Sequence, residues 1–186
     1  MSAERGRMLL RLARHAVERA LGVDEALHVD EAWLAEPGAT FVTLRQNGEL
    51  RGCIGSLEAR RPLIQDVAFN AVAAALRDPR FDPLTAPELP DTEVEVSLLS
   101  PMEPIPFGDE EDAIRQLRPG VDGVVLEYGG RRGTFLPQVW EDLPDPRCFL
   151  GQLKRKAGLA EDFWSPEVRL HRYTVAKWKE SEVAAA

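Results

Sequence analysis

Arg51 and Cys53 stand two residues apart in the run Leu50-Arg51-Gly52-Cys53-Ile54-Gly55. In a strand, residues two apart share a face. A cation beside a thiol raises its thiolate fraction, and the thiolate is the reacting species. The spacing therefore predicts an activated or ligand-contacting cysteine, with the Arg51 guanidinium beside it. Gly52 and Gly55 remove side chains, which lets a ligand or another backbone come close. A small buried thiol in a hairpin, with glycines placed for packing, accounts for the same residues.

Three further groups could add chemistry. Glu93 and Glu95 share a strand face with Ser97 next along. Paired carboxylates can split their pKa values and act as acid and base, although the wet side of an edge strand has the same pattern. Asp78, Arg80 and Asp82 lie in a proline-stiffened loop and could orient a polar substrate, although helix termination plus a local ion pair is the simpler account of them. Gly129-Gly130-Arg131-Arg132 could hold an anion through backbone N–H groups and two guanidiniums, or be an ordinary tight turn. His15, His28 and His171 are scattered, and neither Cys53 nor Cys148 belongs to a Cys-x-x-Cys pair. No metal site or cofactor is expected from such spacing, and no phosphate loop, dinucleotide fingerprint or nucleophile elbow occurs.

The elements that must position these residues are legible in outline. Ser2 can cap a first helix, whose apolar positions Met8, Leu9, Leu12, Ala13, Ala16, Val17, Ala20 and Leu21 recur at three- and four-residue steps before Gly22. Asn47-Gly48 predicts a tight hairpin pairing Phe41–Arg45 with Glu49–Gly55. Pro62 opens a second helix with an alanine-rich stripe from Leu63 to Leu76, ended by Asp78-Pro79. Val94, Val96 and Leu98 alternate as a half-buried strand. Asp109 caps a short helix ending near Gly120. Gly123–Tyr128 and Arg131–Leu136 flank Gly129-Gly130 as a second hairpin. Asp145-Pro146 starts a helix that buries Cys148 beside Phe149 and Leu150, and Val168–Val175 is a last strand. Hairpins and helices in mixed order favour an α+β domain with a mainly antiparallel sheet and flanking helices, in one domain over residues 1–186.

Composition narrows the partners. With 44% hydrophobic and 29% charged residues the chain is ordinary globular material. Its net charge of −8 argues against general nucleic-acid binding. Residues 147–179 nevertheless hold eight Lys/Arg against three acidic residues, a local +5 that could face an anionic ligand or form a solvated surface. The most apolar stretch, Val67 to Leu76, is far shorter than the ~20 residues a membrane span needs. With no signal-like segment and two well-separated cysteines, the expected address is the cytoplasm.

The hexapeptide 50–55 resembles the signature of the AMMECR domain family, and downstream pieces agree in order: the loop Asp78 to Leu84, Glu95-Val96-Ser97, Gly120-Val121-Asp122-Gly123, Phe135 to Trp140, and Lys156-Ala157-Gly158-Leu159. The resemblance runs from about Met8 to Glu180. It implies an α+β fold with a larger sheet-containing part and a smaller subdomain. It also implies Memo-type and radical SAM proteins as partners, the AmmeMemoRadiSam system. It assigns no reaction. Two readings follow. One is a small enzyme or enzyme component acting on a polar or anionic small molecule, with Cys53 and Glu95 as catalytic candidates and Arg51, Gly52, Gly55, Asp78 and Arg80 as ligand contacts. The other is a non-catalytic accessory module serving partner proteins.

Overall fold

A computed structural model describes residues 3–23, 27, 29 and 31–184. In chain order the elements are α1 (Ala3–Ala20), β1 (Pro37–Gly38), β2 (Thr40–Gln46), β3 (Glu49–Gly55), β4 (Arg61–Pro62), α2 (Leu63–Leu76), β5 (Thr92–Leu99), β6 (Glu103–Pro104), α3 (Glu110–Gln116), β7 (Gly123–Tyr128), β8 (Arg131–Phe135), α4 (Pro146–Lys156), β9 (Arg169–Tyr173), β10 (Val175–Lys179) and α5 (Glu180–Ala184). Short 3-10 turns cover Ala32–Ala35, Ala86–Asp91 and Pro137–Glu141. The fold is α+β. It comprises two compact units, residues 1–99 with 176–186 and residues 100–175.

In the first unit the sheet order is β10-β5-β2-β3, which leaves β3 on an edge. The β2–β3 hairpin forms where Asn-Gly chemistry places it: Asn47 takes φ 51° and Gly48 φ 83°, the positive values a tight turn needs. Its register is not regular. Leu44 faces Gly52 but Arg45 faces Leu50, so Arg51 is an extra residue, a β-bulge. Val42, Leu44, Val94 and Val96 point to one face and are fully buried with Leu9, Ala13, Val17, Val67 and Ala71 of α1 and α2. That alternation is the period-2 pattern of a strand meeting the period-3.6 stripe of two helices.

Two local readings need correcting here. The buried side of α2 is wider than its apolar stripe, because Asp66 and Asn70 are also buried. The Asp66 carboxylate accepts from the Thr40 N–H (2.8 Å), the Thr40 hydroxyl (2.8 Å), the Ser56 hydroxyl (2.7 Å) and the Asn70 amide (3.0 Å). Arg61 Nε lies 3.3 Å away. This satisfied polar knot ties the start of β2 and the chain after β3 to the helix. In addition, β5 is not an edge strand. It lies between β10 and β2, so Glu95 is buried rather than wet.

The second unit has a sheet of order β6-β9-β7-β8, packed against α3 and α4. Gly129 and Gly130, at φ 55° and 78°, make the tight β7–β8 turn. Asp109 and Asp145 cap α3 and α4 by accepting from the N–H groups of Asp112 and Cys148, at 2.8 Å each. The first of these helices ends at Gln116, short of Gly120. Trp140 stacks on Phe149 at 3.7 Å between ring centroids and donates its indole N–H to the Asp122 carbonyl at 2.7 Å. Asp122 is itself buried against Arg118 (Nε 2.9 Å). The last strand expected from the sequence ends at Tyr173, and a further strand, β10, follows it into the other sheet. The proposed Ser2 cap and His28 lie outside the described residues. No helix among the described residues is long and apolar enough to cross a membrane.

Candidate functional site

Cys53, Thr43 and Glu95 form one row across β3, β2 and β5: Thr43 faces Cys53 on one side and Glu95 on the other. Directly opposed residues of an antiparallel pair point to the same face, so all three side chains stand on the side of the sheet away from α1 and α2. The Thr43 hydroxyl lies 3.3 Å from Cys53 Sγ, at hydrogen-bond distance for a sulfur acceptor. Cys53 is half-buried.

At the far end of the row the Glu95 side chain is only 2% exposed and lies between two cations. Arg45 Nε meets one carboxylate oxygen at 2.8 Å, and Lys177 Nζ meets the other at 2.6 Å. That second contact is an ion pair whose angles fall outside ordinary hydrogen-bond geometry, so Oε2 lacks a formal hydrogen bond while still facing a cation. The Arg45 and Lys177 side chains remain 33% and 45% exposed. The Lys177 ammonium carries three N–H donors, so it can face Glu95 as an ion pair and still offer donors elsewhere.

The loop after α2 holds the strand edge. Asp78, buried, accepts from the Cys53 N–H at 2.9 Å and from Arg80 Nη2 at 2.7 Å on one oxygen. Its other oxygen accepts from Arg80 N (3.1 Å) and Nε (2.9 Å). Arg80 Nη2 reaches on to the Cys53 carbonyl at 3.3 Å. The hydrogen bonds from Arg80, then those from the backbone, hold the Asp78 carboxyl far below the usual carboxylate range against the opposing effect of burial. Conversely, the Asp78 side-chain hydrogen bond raises the Arg80 guanidinium pKa.

Several expected roles shift. Arg51 does not flank the thiol. The bulge breaks the two-residue alternation, and the guanidinium pairs with Glu88 at 3.1 Å. Glu88, held mainly by the Thr85 hydroxyl, is lowered to about 2. The cation at Cys53 is Arg80. Gly52 and Gly55 were assigned to ligand contact, but their space is filled. A Cβ on Gly52 would sit 2.1 Å from the Ala74 carbonyl oxygen of α2, and one on Gly55 would sit 2.2 Å from the Phe41 ring. Asp82 is exposed and has no part in the Asp78–Arg80 clamp. Cys148, expected to be buried, is exposed. Its pKa is raised, chiefly through the hydrogen bond with the Asp145 carboxylate and only then by burial.

Lys177 and Thr43 were not singled out for the site. Thr43 was visible as the polar residue between Val42 and Leu44 in a β-rich run. Lys177 carried no local signal because its partner lies on another strand. The basic run that includes it is largely neutralised. Arg147 pairs with Glu111, Lys154 with Glu110, Arg155 with Glu161 and Arg172 with Asp122. Among the described residues no group of three or more His, Cys, Asp and Glu side chains is placed to hold a metal ion.

Comparison with known proteins places the chain among relatives of the same extent. The sequence profile of the AMMECR1 family matches residues 10–178. A protein of Methanothermobacter thermautotrophicus is 40% identical over 178 residues, covering 93% of this chain and 93% of its own. One from Aeropyrum pernix is 42% identical over 185 residues, 95% of this chain and 79% of its own. The crystal structure of an uncharacterised protein from Pyrococcus horikoshii superposes with a TM-score of 0.80 at 34% identity, over 97% of this chain and 93% of that one.

Proposed function

The chain belongs to the AMMECR1 family, and from that premise we propose that it works through a thiol site at Cys53 that handles a small polar or anionic molecule. The observation that carries this reading is the row Cys53–Thr43–Glu95 with the Lys177 cation at its end. Cys53 is the contacting or attacking group. The Thr43 hydroxyl supplies a donor to its sulfur. Glu95 acts as a positioning residue that holds Arg45 and Lys177, and the donors left on Lys177 are available to an anion. Arg80 adds a second cation at the strand edge. Two free thiols support a reducing compartment, the cytoplasm, and the family resemblance supports service alongside Memo-type and radical SAM proteins.

The test compares two alkylating agents of similar size, neutral iodoacetamide and anionic iodoacetate, with peptide mass mapping of both cysteines in the folded protein. Cys148 is an internal control of opposite character, since Asp145 and Glu161 surround it with negative charge. The rate ratio of iodoacetate to iodoacetamide should be several-fold higher at Cys53 than at Cys148, and Lys177→Gln should lower it at Cys53 alone. An equal or lower ratio at Cys53, or no modification there, removes the thiol site. The accessory-module role would then stand as the functional reading.

A further inference from the structure

The second unit carries a cavity of about 250 Å³ at the tip of the β7–β8 hairpin. Its chemistry is set by one row of the sheet. Arg169 of β9, Glu127 of β7 and Arg132 of β8 are direct cross-strand partners, so their side chains share a face. Glu127 gives Oε1 to Arg132 Nε at 3.3 Å. Arg169 lies opposite the same carboxylate but makes no ion pair among the described residues. Arg131 also lines the cavity, with its Nη1 bound to the Gly158 carbonyl, and Glu167 is the second acidic group. Three guanidiniums therefore face two carboxylates. The rim between them is the Gly129-Gly130 turn, where a Cβ would meet nothing within 4 Å. These glycines serve the positive φ of the turn and leave uncovered backbone beside the arginines.

We propose that this cavity is a binding site for a small oxyanion, a carboxylate or phosphate group, held by Arg169 and Arg132. Arg169 and Arg132 lie on the two strands that flank β7, Arg169 keeps a guanidinium with no ion pair among the described residues for a ligand, and the planar guanidinium fork matches both oxyanion types. The small volume restricts the occupant to a molecule of a few heavy atoms or to one end of a larger one. Glu127 sets the selectivity. It keeps Arg132 in the row and repels an anion that carries more charge than the arginines can match.

The experiment is an NMR titration of the full chain with sodium acetate and, separately, inorganic phosphate, each at constant ionic strength against chloride. The Arg132 and Arg169 Nε–H and the Gly129 and Gly130 amide resonances are followed. Saturable shifts confined to these groups are expected. Acetate alone identifies a carboxylate ligand, phosphate alone a phosphate ligand, and both the shared oxyanion chemistry. Arg169→Gln should weaken binding about tenfold, while Arg115→Gln, an exposed side chain of α3, should leave it unchanged. Arg169→Lys should recover part of the affinity. Shifts that do not saturate, or that persist undiminished in Arg169→Gln with its remaining spectrum intact, overturn the proposal.

Discussion

Asp78→Ala tests the edge clamp most directly. The side chain is 2% exposed, and its removal takes away the acceptor of the Cys53 N–H and both anchors of Arg80. An orphaned, part-buried N–H costs about 1–3 kcal/mol. The Arg80 side chain is 54% exposed and can rehydrate, so losing its ion pair adds only about 0–1 kcal/mol. The expected loss is about 2–3 kcal/mol, read as a lower midpoint in urea denaturation followed by circular dichroism. Asp78→Asn keeps an oxygen for the Cys53 N–H and should cost roughly half as much.

The same variant has a pH signature. The folded-state pKa of Asp78 is depressed below the ordinary aspartate value of about 3.9. Its contribution is therefore fully present above the unfolded value and is lost as pH falls through the folded one. The stability gap between wild type and Asp78→Ala should be constant from about pH 5 to pH 8 and should narrow below about pH 4. A gap under about 0.5 kcal/mol at neutral pH, or one that fails to narrow in acid, would show that Asp78 does not hold the edge as described.

Gly52→Ala should destabilise the chain by about 2–3 kcal/mol or more in the same assay, because its Cβ meets α2 backbone that cannot move aside as a side chain could. Glu95→Gln should cost about 1–2 kcal/mol, since it weakens two ion pairs whose cations are a third to nearly half exposed; circular dichroism melting checks it. Arg51→Ala should leave the iodoacetamide rate of Cys53 unchanged, whereas Arg80→Ala should lower it, by peptide mapping; the opposite order would restore Arg51 as the activating cation. Asp145→Asn should speed modification of Cys148, because the carboxylate that raises its pKa is gone.

The parts of the fold that were legible are those set by neighbours in the chain. Asn47-Gly48 and Gly129-Gly130 tolerate the positive φ their tight turns use, and Asp109 and Asp145 cap their helices with atoms three residues away. What escaped was set across the fold. The bulge opposite Arg45 is one residue of register, yet it moves Arg51 from Cys53 to Glu88. Glu95 reads as surface from alternation alone, and only the sheet order, with β10 outside β5, buries it. Asp66 and Asn70 did leave a trace, a polar pair four apart on an apolar helix, which is the spacing of one helix face. Gly120 to Gly123 and Phe135 to Trp140 looked like separate family pieces, yet the Trp140 indole on the Asp122 carbonyl joins them.

The hexapeptide and the Asp78-Pro79-Arg80 loop are likewise one device. Every second residue of an edge strand turns its N–H and C=O away from the sheet, where another strand can pair with them. Cys53 is such a residue on β3. Asp78 takes its N–H and Arg80 its C=O, so the edge at this point is closed to strand addition. The sulfur is held from the other direction by the Thr43 hydroxyl within the sheet. Backbone and side chain are thus fixed by independent partners, and Gly52 lets the strand lie against α2 closely enough for the loop following that helix to reach it. A partner that recognises this strand at Cys53 must do so through the thiol and the charged row beside it, because the main chain there is already engaged.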